Sequence, residues 1–99
     1  MTGLDAIAKE RREQIEKHGY TEQHDAEHIG GELESAAAAV LTEDIELWPK
    51  RWGRERFLQI TEKSTRDRLA VTGAFLAAEI DRIDRELAVI STNYPQPTA

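Results

Sequence analysis

The first part of the chain places apolar residues at helical spacing. The recurring positions are Leu4, Ile7, Ala8 and Ile15, with the cation Arg11 in the same series. Thr2 can cap the N-terminus with Asp5 in the first turn, and Gly19 is a natural stop. The pattern therefore predicts helix 1 over about 3–18. Because this helix has few large apolar residues, it must pack against another element to persist.

A second apolar series, typical of one helix face, begins after a glycine pair. Its members are Leu33, Ala36, Ala37, Val40 and Leu41. The series predicts helix 2 over at least 32–42. The helix starts as early as Asp25 if Gly30 and Gly31 are tolerated inside it.

A third series alternates in steps of four and three, as in a heptad repeat. Its members are Leu69, Gly73, Leu76, Ile80, Ile83, Leu87 and Ile90. With Ser64 or Thr65 as a cap, it predicts helix 3 over about 65–90, with an Asp81–Arg85 pair on its outer face. A helix of this length is about 39 Å long. Helix 2 is too short to cover it, so helix 1 or another subunit must cover the rest.

The segment 43–64 has no sustained period, and its Trp48-Pro49 dipeptide indicates a turn or extended backbone. The predicted fold is all-α: a short helix 1 and an antiparallel hairpin of helix 2 and helix 3, with a long C-terminal helix. We expect one domain over 1–92 and a loose tail over 93–99. A chain of 99 residues has a thin core, so self-association is also expected.

The charge is uneven along the chain. Residues 1–49 carry 4 Lys/Arg against 12 Asp/Glu, residues 50–68 carry 7 against 3, and residues 69–99 carry 2 against 4. The net charge of -6 argues against a general nucleic-acid binder, whereas the local basic segment suits a small anion. With no cysteine, no apolar run of about 20 residues and no signal-peptide pattern, we expect a cytoplasmic protein that does not enter a membrane.

The connection between helices 1 and 2 is rich in groups that bind ligands. It contains Tyr20, His24, Asp25 and His28, where a plain connection needs only a few polar residues. His24, His28 and Glu32 have i, i+4, i+8 spacing, which on a continuous helix would suit a divalent metal. The alternative is that the histidines hydrogen-bond loop carbonyls and helix ends.

A second candidate site interleaves tryptophans with cations. Its residues are Trp48, Lys50, Arg51, Trp52, Arg54 and Arg56. Indole faces stack on bases, and guanidinium groups bind phosphates, so the pattern suits one nucleotide-like ligand. The alternative is that both tryptophans anchor a loop while the cations stay in water.

Two polar sets have weaker interpretations. Carboxylates on helices 2 and 3, with Glu32, Asp67 and Glu79 as the main candidates, could hold Mg²⁺ for phosphate chemistry. Arg11, Gln14 and Lys17 lie on one side of helix 1 and are interpreted as an ordinary solvated face.

These motifs together resemble a family of small proteins of tailed phages and prophages. The matching positions are Glu10-Arg11, Gln14-Ile15, Lys17, Gly19-Tyr20-Thr21, His24-Asp25, His28, Gly31-Glu32-Leu33, Ala36-Ala37, Trp48-Pro49, Trp52, Gly73-Ala74 and Ala78-Glu79-Ile80. An aromatic that the family often has late in helix 2 is replaced near Val40, and a basic residue before Gly73 is replaced by Val71-Thr72.

A more distant resemblance is to the all-α nucleotide pyrophosphohydrolases of the MazG type. That family holds Mg²⁺ with a Glu-x-x-Glu pattern and a later Glu-x-x-Asp pattern. Here Ser35 follows Glu32 by three, and Ser64 precedes Asp67 by three, so both patterns are broken. The resemblance implies hydrolysis, but the missing acids leave few ligands for a metal pair.

Three functions are therefore considered. The first is binding and sequestration of a nucleotide-derived ligand, without cofactor or turnover, as a phage counter-defence protein in the host cytoplasm. Its site residues would be Tyr20, His24, Asp25, His28, Trp48, Arg51, Trp52 and Arg54. The second is a Mg²⁺-dependent nucleotide hydrolase using Glu32, Asp67 and Glu79. The third is inhibition of a host defence protein by an acidic surface.

Overall fold

The computed structural model describes residues 1–18 and 31–93, with side chains for 1–17 and 31–89. Within these ranges the chain is all-α and forms four helices and no strand. The helices are α1 (Gly3–His18), α2 (Glu32–Thr42), α3 (Arg54–Thr61) and α4 (Thr65–Asn93). Two 3₁₀ turns, Ile45–Leu47 and Lys50–Trp52, lie between α2 and α3. The all-α class and the three predicted helices are confirmed.

The sequence did not predict α3. This helix has 8 residues, which is too short for a sustained apolar period to be recognised. It buries Phe57 and Ile60, one turn apart, against the core. The interval 43–64 is therefore two 3₁₀ turns and a short helix rather than an irregular segment.

The helix α4 is the element on which α1 and α2 pack. Arg68, near the start of α4, donates from Nη1 to the carbonyl oxygens of Val40 and Leu41 at the end of α2, at 2.8 Å each. These contacts show that α2 and α4 run antiparallel, as predicted. The helix α1 runs parallel to α4, because Ile7 lies against Gly73 and Arg11 lies 3.5 Å from Asp81 further along.

The core is built mainly from small residues. On α4 it contains Ala70, Val71, Ala74, Phe75 and Ala78. The facing residues of α2 are Leu33, Ala36, Ala37, Ala39 and Val40. Alanines on both helices let the two backbones approach closely, and Phe75 fills the space beside them.

The leucines and most of the isoleucines of α4 lie outside this core. Leu69, Leu76, Ile80, Ile83 and Leu87, here called the α4 stripe, are 39–58% exposed. They belong to the heptad-like series that was expected to be covered by helix 1 or another subunit. Of that series, Gly73 contacts Ile7 of α1, and Leu69 lines a pocket together with Gly3, Ala6 and Ile7. Within the described residues the α4 stripe stays exposed.

The buried face of α1 differs from the expectation. Gln14 is 2% exposed and the Arg11 side chain 13%, whereas Leu4 is 80% and Ile15 41% exposed. The interpretation of Arg11 and Gln14 as a solvated face was wrong. The reason is that α1 presents Ala6, Gln14 and Ile7 to its neighbours, and this side carries few large apolar residues.

The predicted helix caps are present. Asp5 N–H donates to Thr2 Oγ1 at 3.1 Å, and Thr2 N–H donates back to Asp5 Oδ2 at 3.0 Å. This reciprocal pair fixes the start of α1. Ser64 Oγ accepts from Asp67 N–H at 3.2 Å at the start of α4. None of the described helices is long and apolar enough to cross a membrane.

Candidate functional site

The segment from Trp48 to Arg56 joins α2 to α3 and contains the predicted tryptophan and arginine site. Trp48 is buried, at 4% exposure. Its ring centroid lies 5.3 Å from Trp52, 5.7 Å from Phe57 and 6.0 Å from Phe75. Its Nε1 donates to the carbonyl oxygen of Gly53 at 2.8 Å. Trp48 is thus held as a core anchor, and a ligand would reach its faces only after the core had opened.

Gly53 lets the backbone close around this anchor. Its φ is +75° and its ψ is 143°, a conformation that residues with a Cβ rarely adopt. It follows the second 3₁₀ turn and directly precedes α3. The turn therefore places its carbonyl on the Trp48 indole while the chain changes direction into α3.

Trp52 occupies a different environment from Trp48. It is half-buried and packs against Phe75, with the two ring centroids 5.9 Å apart. Its ring is nearly perpendicular to the ring of Trp48, at an interplanar angle of 88°. Its Nε1 donates to Glu32 Oε2 at 2.8 Å. The ring is thus fixed on one side by aromatic packing and at its polar edge by a carboxylate.

The same carboxylate holds Arg51. Arg51 Nε lies 3.0 Å from Glu32 Oε2, and Arg51 Nη2 lies 2.6 Å from Glu32 Oε1. This two-point geometry orients a guanidinium group whose side chain is still 59% exposed. Glu32, at the first turn of α2, therefore positions both an aromatic ring and a cation of the 48–56 segment. The sequence analysis treated Glu32 only as a metal ligand and did not predict this role.

Other cations lie close to Trp52 along the chain. Lys50 and Arg54 are exposed, and Arg56 is half-buried on α3. Residues 50–56 carry four basic side chains and one acidic side chain, Glu55. The local potential is therefore positive on a protein whose overall charge is -6. An oriented indole beside such cations can bind a planar, anionic molecule.

Tyr20, His24, Asp25 and His28 lie outside the described residues. The predicted ligand site is therefore described for its Trp48, Arg51, Trp52 and Arg54 half.

The acids of the hydrolase alternative have separate surroundings. Glu32 binds Arg51 and Trp52, and Asp67 lies 3.2 Å from Arg66. Asp67 and Glu79 are twelve residues apart on α4, which is about 18 Å along a helix. Within 1–18 and 31–93, no three His, Asp or Glu side chains come together in a group that could hold a metal ion. The expected cluster of Glu32, Asp67 and Glu79 is therefore not formed.

Glu79 forms a local ion pair instead. It is 4% exposed, and its Oε1 accepts from Arg82 Nε and Nη2 at 2.6 Å each. The hydrogen bond to Glu79 raises the pKa of Arg82 above its ordinary value. Arg82 Nη1 also donates to Glu86 at 3.0 Å, so one guanidinium group joins two carboxylates along α4.

No protein-family model, curated protein or solved structure matches the chain.

Proposed function

We propose that this protein binds and sequesters a nucleotide-derived ligand. The observation that carries the proposal is the oriented, half-buried Trp52, with Arg51 fixed beside it by Glu32 and with Lys50 and Arg54 exposed nearby. A nucleotide offers a flat ring for the indole and phosphates for the cations. Such recognition needs no nucleophile and no cofactor.

The roles of the two tryptophans differ in this proposal. Trp48 stabilises the segment from within the core, and Trp52 supplies the stacking surface. Arg51 and Arg54 contact phosphate, while Tyr20, His24, Asp25 and His28 remain the proposed contacts to ribose or a second polar group. The proposed partners are this small molecule and further copies of the chain. The counter-defence role in a host cytoplasm, implied by the phage-family resemblance, belongs to the same proposal.

The test is isothermal titration calorimetry of the full chain with ADP-ribose and with a cyclic dinucleotide. Adenosine serves as the phosphate-free comparison. We expect at least one phosphorylated probe to bind. The affinity for adenosine should be much lower, because the cations contribute to binding only when phosphate is present. Absence of binding by both probes would contradict the proposal.

Substitutions then assign the contacts. Trp52→Leu retains an apolar side chain without an aromatic face, and we expect an affinity loss of roughly tenfold, from stacking energies of about 1–3 kcal/mol per base. The double variant Lys50→Ala/Arg54→Ala should weaken the phosphorylated probe. Lys9→Ala/Arg12→Ala, which removes two exposed cations from α1, is the matched control. Equal affinity of Trp52→Leu and the wild type would remove Trp52 from the site.

The same incubations distinguish sequestration from hydrolysis. The ligand is recovered after incubation with and without Mg²⁺ and identified by mass spectrometry. Recovery of unmodified ligand supports sequestration. Conversion that depends on Mg²⁺ would favour the hydrolase alternative over the proposal.

A further inference from the structure

Glu79 carries a buried carboxylate oxygen that accepts no hydrogen bond. Its side chain is 5% exposed, and Arg82 binds its Oε1 through Nε and Nη2 at 2.6 Å each. The other oxygen, Oε2, is buried and has no hydrogen-bond partner in the part of the chain that the structure describes. Buried carboxylate oxygens are ordinarily paired, because an unpaired one is costly. Glu79 Oε2 is therefore an acceptor suited to a donor from a bound molecule.

Arg82 fixes the orientation of this acceptor. Two N–H groups of its guanidinium converge on Glu79 Oε1, and a third group, Nη1, donates to Glu86 at 3.0 Å. Rotation of the Glu79 carboxylate would break both bonds to Oε1, so Oε2 is held in one position. Because Oε1 is already occupied, the carboxylate can receive a ligand at one oxygen only.

Glu79 lies close to the surroundings of Trp52. It follows Phe75 by four residues on α4, so the two side chains share one helix face. The ring of Trp52 packs on that of Phe75, with the centroids 5.9 Å apart. Long side chains on a helix lean toward its N-terminus, which brings the Glu79 carboxylate toward the turn of Phe75. Trp52 is the half-buried member of the three, so a ligand approaches Glu79 along its ring.

Burial increases from the cations to Glu79. The Arg51 side chain is 59% exposed, Trp52 is half-buried, and Glu79 is 4% exposed. When a nucleotide places its phosphates on the cations and its ring on Trp52, the outer edge of the base is its deepest part. We propose that Glu79 Oε2 accepts a hydrogen bond from an amino group on that edge, and thereby selects bases that carry one. This inference rests on the proposed function and names the class of base that the site selects.

A carboxylate oxygen distinguishes an amino group from a carbonyl group. An amino group donates to it, whereas a base carbonyl would place a second acceptor against Oε2 and leave both oxygens unpaired. Adenine and guanine each carry an amino group. Hypoxanthine has a carbonyl where adenine has its amino group, and it differs from guanine only by lacking the amino group. Inosine diphosphate is therefore a matched comparison for both ADP and GDP.

The experiment measures the affinity of the full chain for ADP, GDP and inosine diphosphate by isothermal titration calorimetry. We expect inosine diphosphate to bind at least roughly tenfold more weakly than the tighter of ADP and GDP, since it lacks the donor to a charged acceptor. Equal or tighter binding of inosine diphosphate would overturn the inference and leave the proposed function in place. Binding of ADP-ribose or the cyclic dinucleotide without binding of any diphosphate would do the same. Absence of binding by every phosphorylated probe would overturn both.

Glu79→Gln tests whether this oxygen is the source of the selectivity. Glutamine retains an acceptor for Arg82 and replaces Oε2 with a donor, so the preference over inosine diphosphate should be lost. Glu86→Gln is the matched control, because Glu86 binds the same arginine with a side chain that is 61% exposed. It should retain the wild-type preference. An unchanged preference in Glu79→Gln would overturn the inference.

A third variant separates selectivity from stacking. Trp52→Leu should weaken all three diphosphates in equal proportion, because stacking energy does not depend on one amino group. A purely structural role of Glu79 would change the three affinities together and leave their ratios unchanged. Circular dichroism checks that Glu79→Gln is folded, and the comparison of the three diphosphates on the wild type tests the inference without any substitution.

Discussion

Glu32 and Trp52 are 20 residues apart in the sequence, and the indole Nε1 of Trp52 donates a 2.8 Å hydrogen bond to Glu32 Oε2. Glu32 starts α2, and Trp52 ends the second 3₁₀ turn. The bond therefore ties the connection between α2 and α3 back to the first turn of α2. Because Arg51 binds the same carboxylate, one acidic side chain orients the aromatic and cationic parts of the candidate site.

Removing the Glu32 carboxylate should release Trp52. We expect Glu32→Ala to lower the free energy of unfolding by about 1 kcal/mol, since the partly exposed Arg51 regains solvation. The Trp52 emission should shift to longer wavelength as its indole gains access to water. The measurement uses a Trp48→Phe background, because the chain has two tryptophans. Glu34→Ala, at an exposed position of the same helix, is the control, and unchanged emission in Glu32→Ala would contradict the positioning role.

Arg68 should contribute to stability through the end of α2. It donates to the carbonyl oxygens of Val40 and Leu41 in the last turn of α2, where Val40 O also accepts from the N–H of Glu43 at 3.4 Å. Arg68→Met retains the apolar stem and removes the donors, so we expect a loss of about 2 kcal/mol in urea unfolding. Arg66→Met, on an exposed side chain paired with Asp67, should cost less than about 0.5 kcal/mol. Equal losses in the two variants would show that the contacts to α2 are not what makes Arg68 stabilising.

Gly73 should be required for the close approach of α1. A Cβ at this position would lie 2.6 Å from Ile7 Cδ1 and 2.7 Å from Ile7 Cγ1, which is too close without movement of Ile7. We expect Gly73→Ala to destabilise the wild type. In an Ile7→Ala background the clash is absent, and the higher helix propensity of alanine should stabilise by up to about 1 kcal/mol. A double-mutant cycle measures the effect of Gly73→Ala on the free energy of unfolding with Ile7 present and with Ile7→Ala. An effect of the same sign in both backgrounds would contradict the prediction.

The Thr2–Asp5 pair predicts a specific pH dependence. The pKa of Asp5 is lowered below its ordinary value of 3.8. The main cause is the hydrogen bond from the backbone N–H of Thr2, and the hydrogen bond with the Thr2 hydroxyl contributes less. Stability from ionised Asp5 is therefore present above pH 3.8 and is lost as the pH falls through the lowered pKa. Asp5→Asn should reduce the Tm at neutral pH and approach the wild type in strong acid. Glu16→Gln, on the exposed face of α1, should show a smaller difference at neutral pH.

The apolar spacing was enough to predict the helices but not their buried faces. Helices 1, 2 and 3 of the sequence analysis match α1, α2 and α4 closely, since helix periodicity and caps are local properties. The short α3 was missed because one or two turns give too few repeats. The heptad-like series on α4 was correctly located, yet most of it is exposed. The helix α2 packs on the alanine-containing face of α4 instead, because alanines on both helices allow a closer approach than leucines would.

The candidate site was also predicted only in part from the sequence. The sequence identified Trp48, Arg51, Trp52 and Arg54 as a chemically rich segment, since residue type and proximity along the chain are visible in it. It did not separate the buried Trp48 from the half-buried Trp52, nor connect Glu32 to Arg51. Those differences depend on which residues from distant segments meet.

The sequence by itself therefore determined the all-α class, the extents of the three longer helices and the position of the basic, tryptophan-containing segment. These follow from backbone hydrogen bonding and side-chain periodicity within a few turns. The tertiary structure decided that small residues form the core, that Glu32 orients Trp52 and Arg51, and that the α4 stripe faces outward. Such choices depend on how closely two helices can pack, and that is a property of both surfaces together.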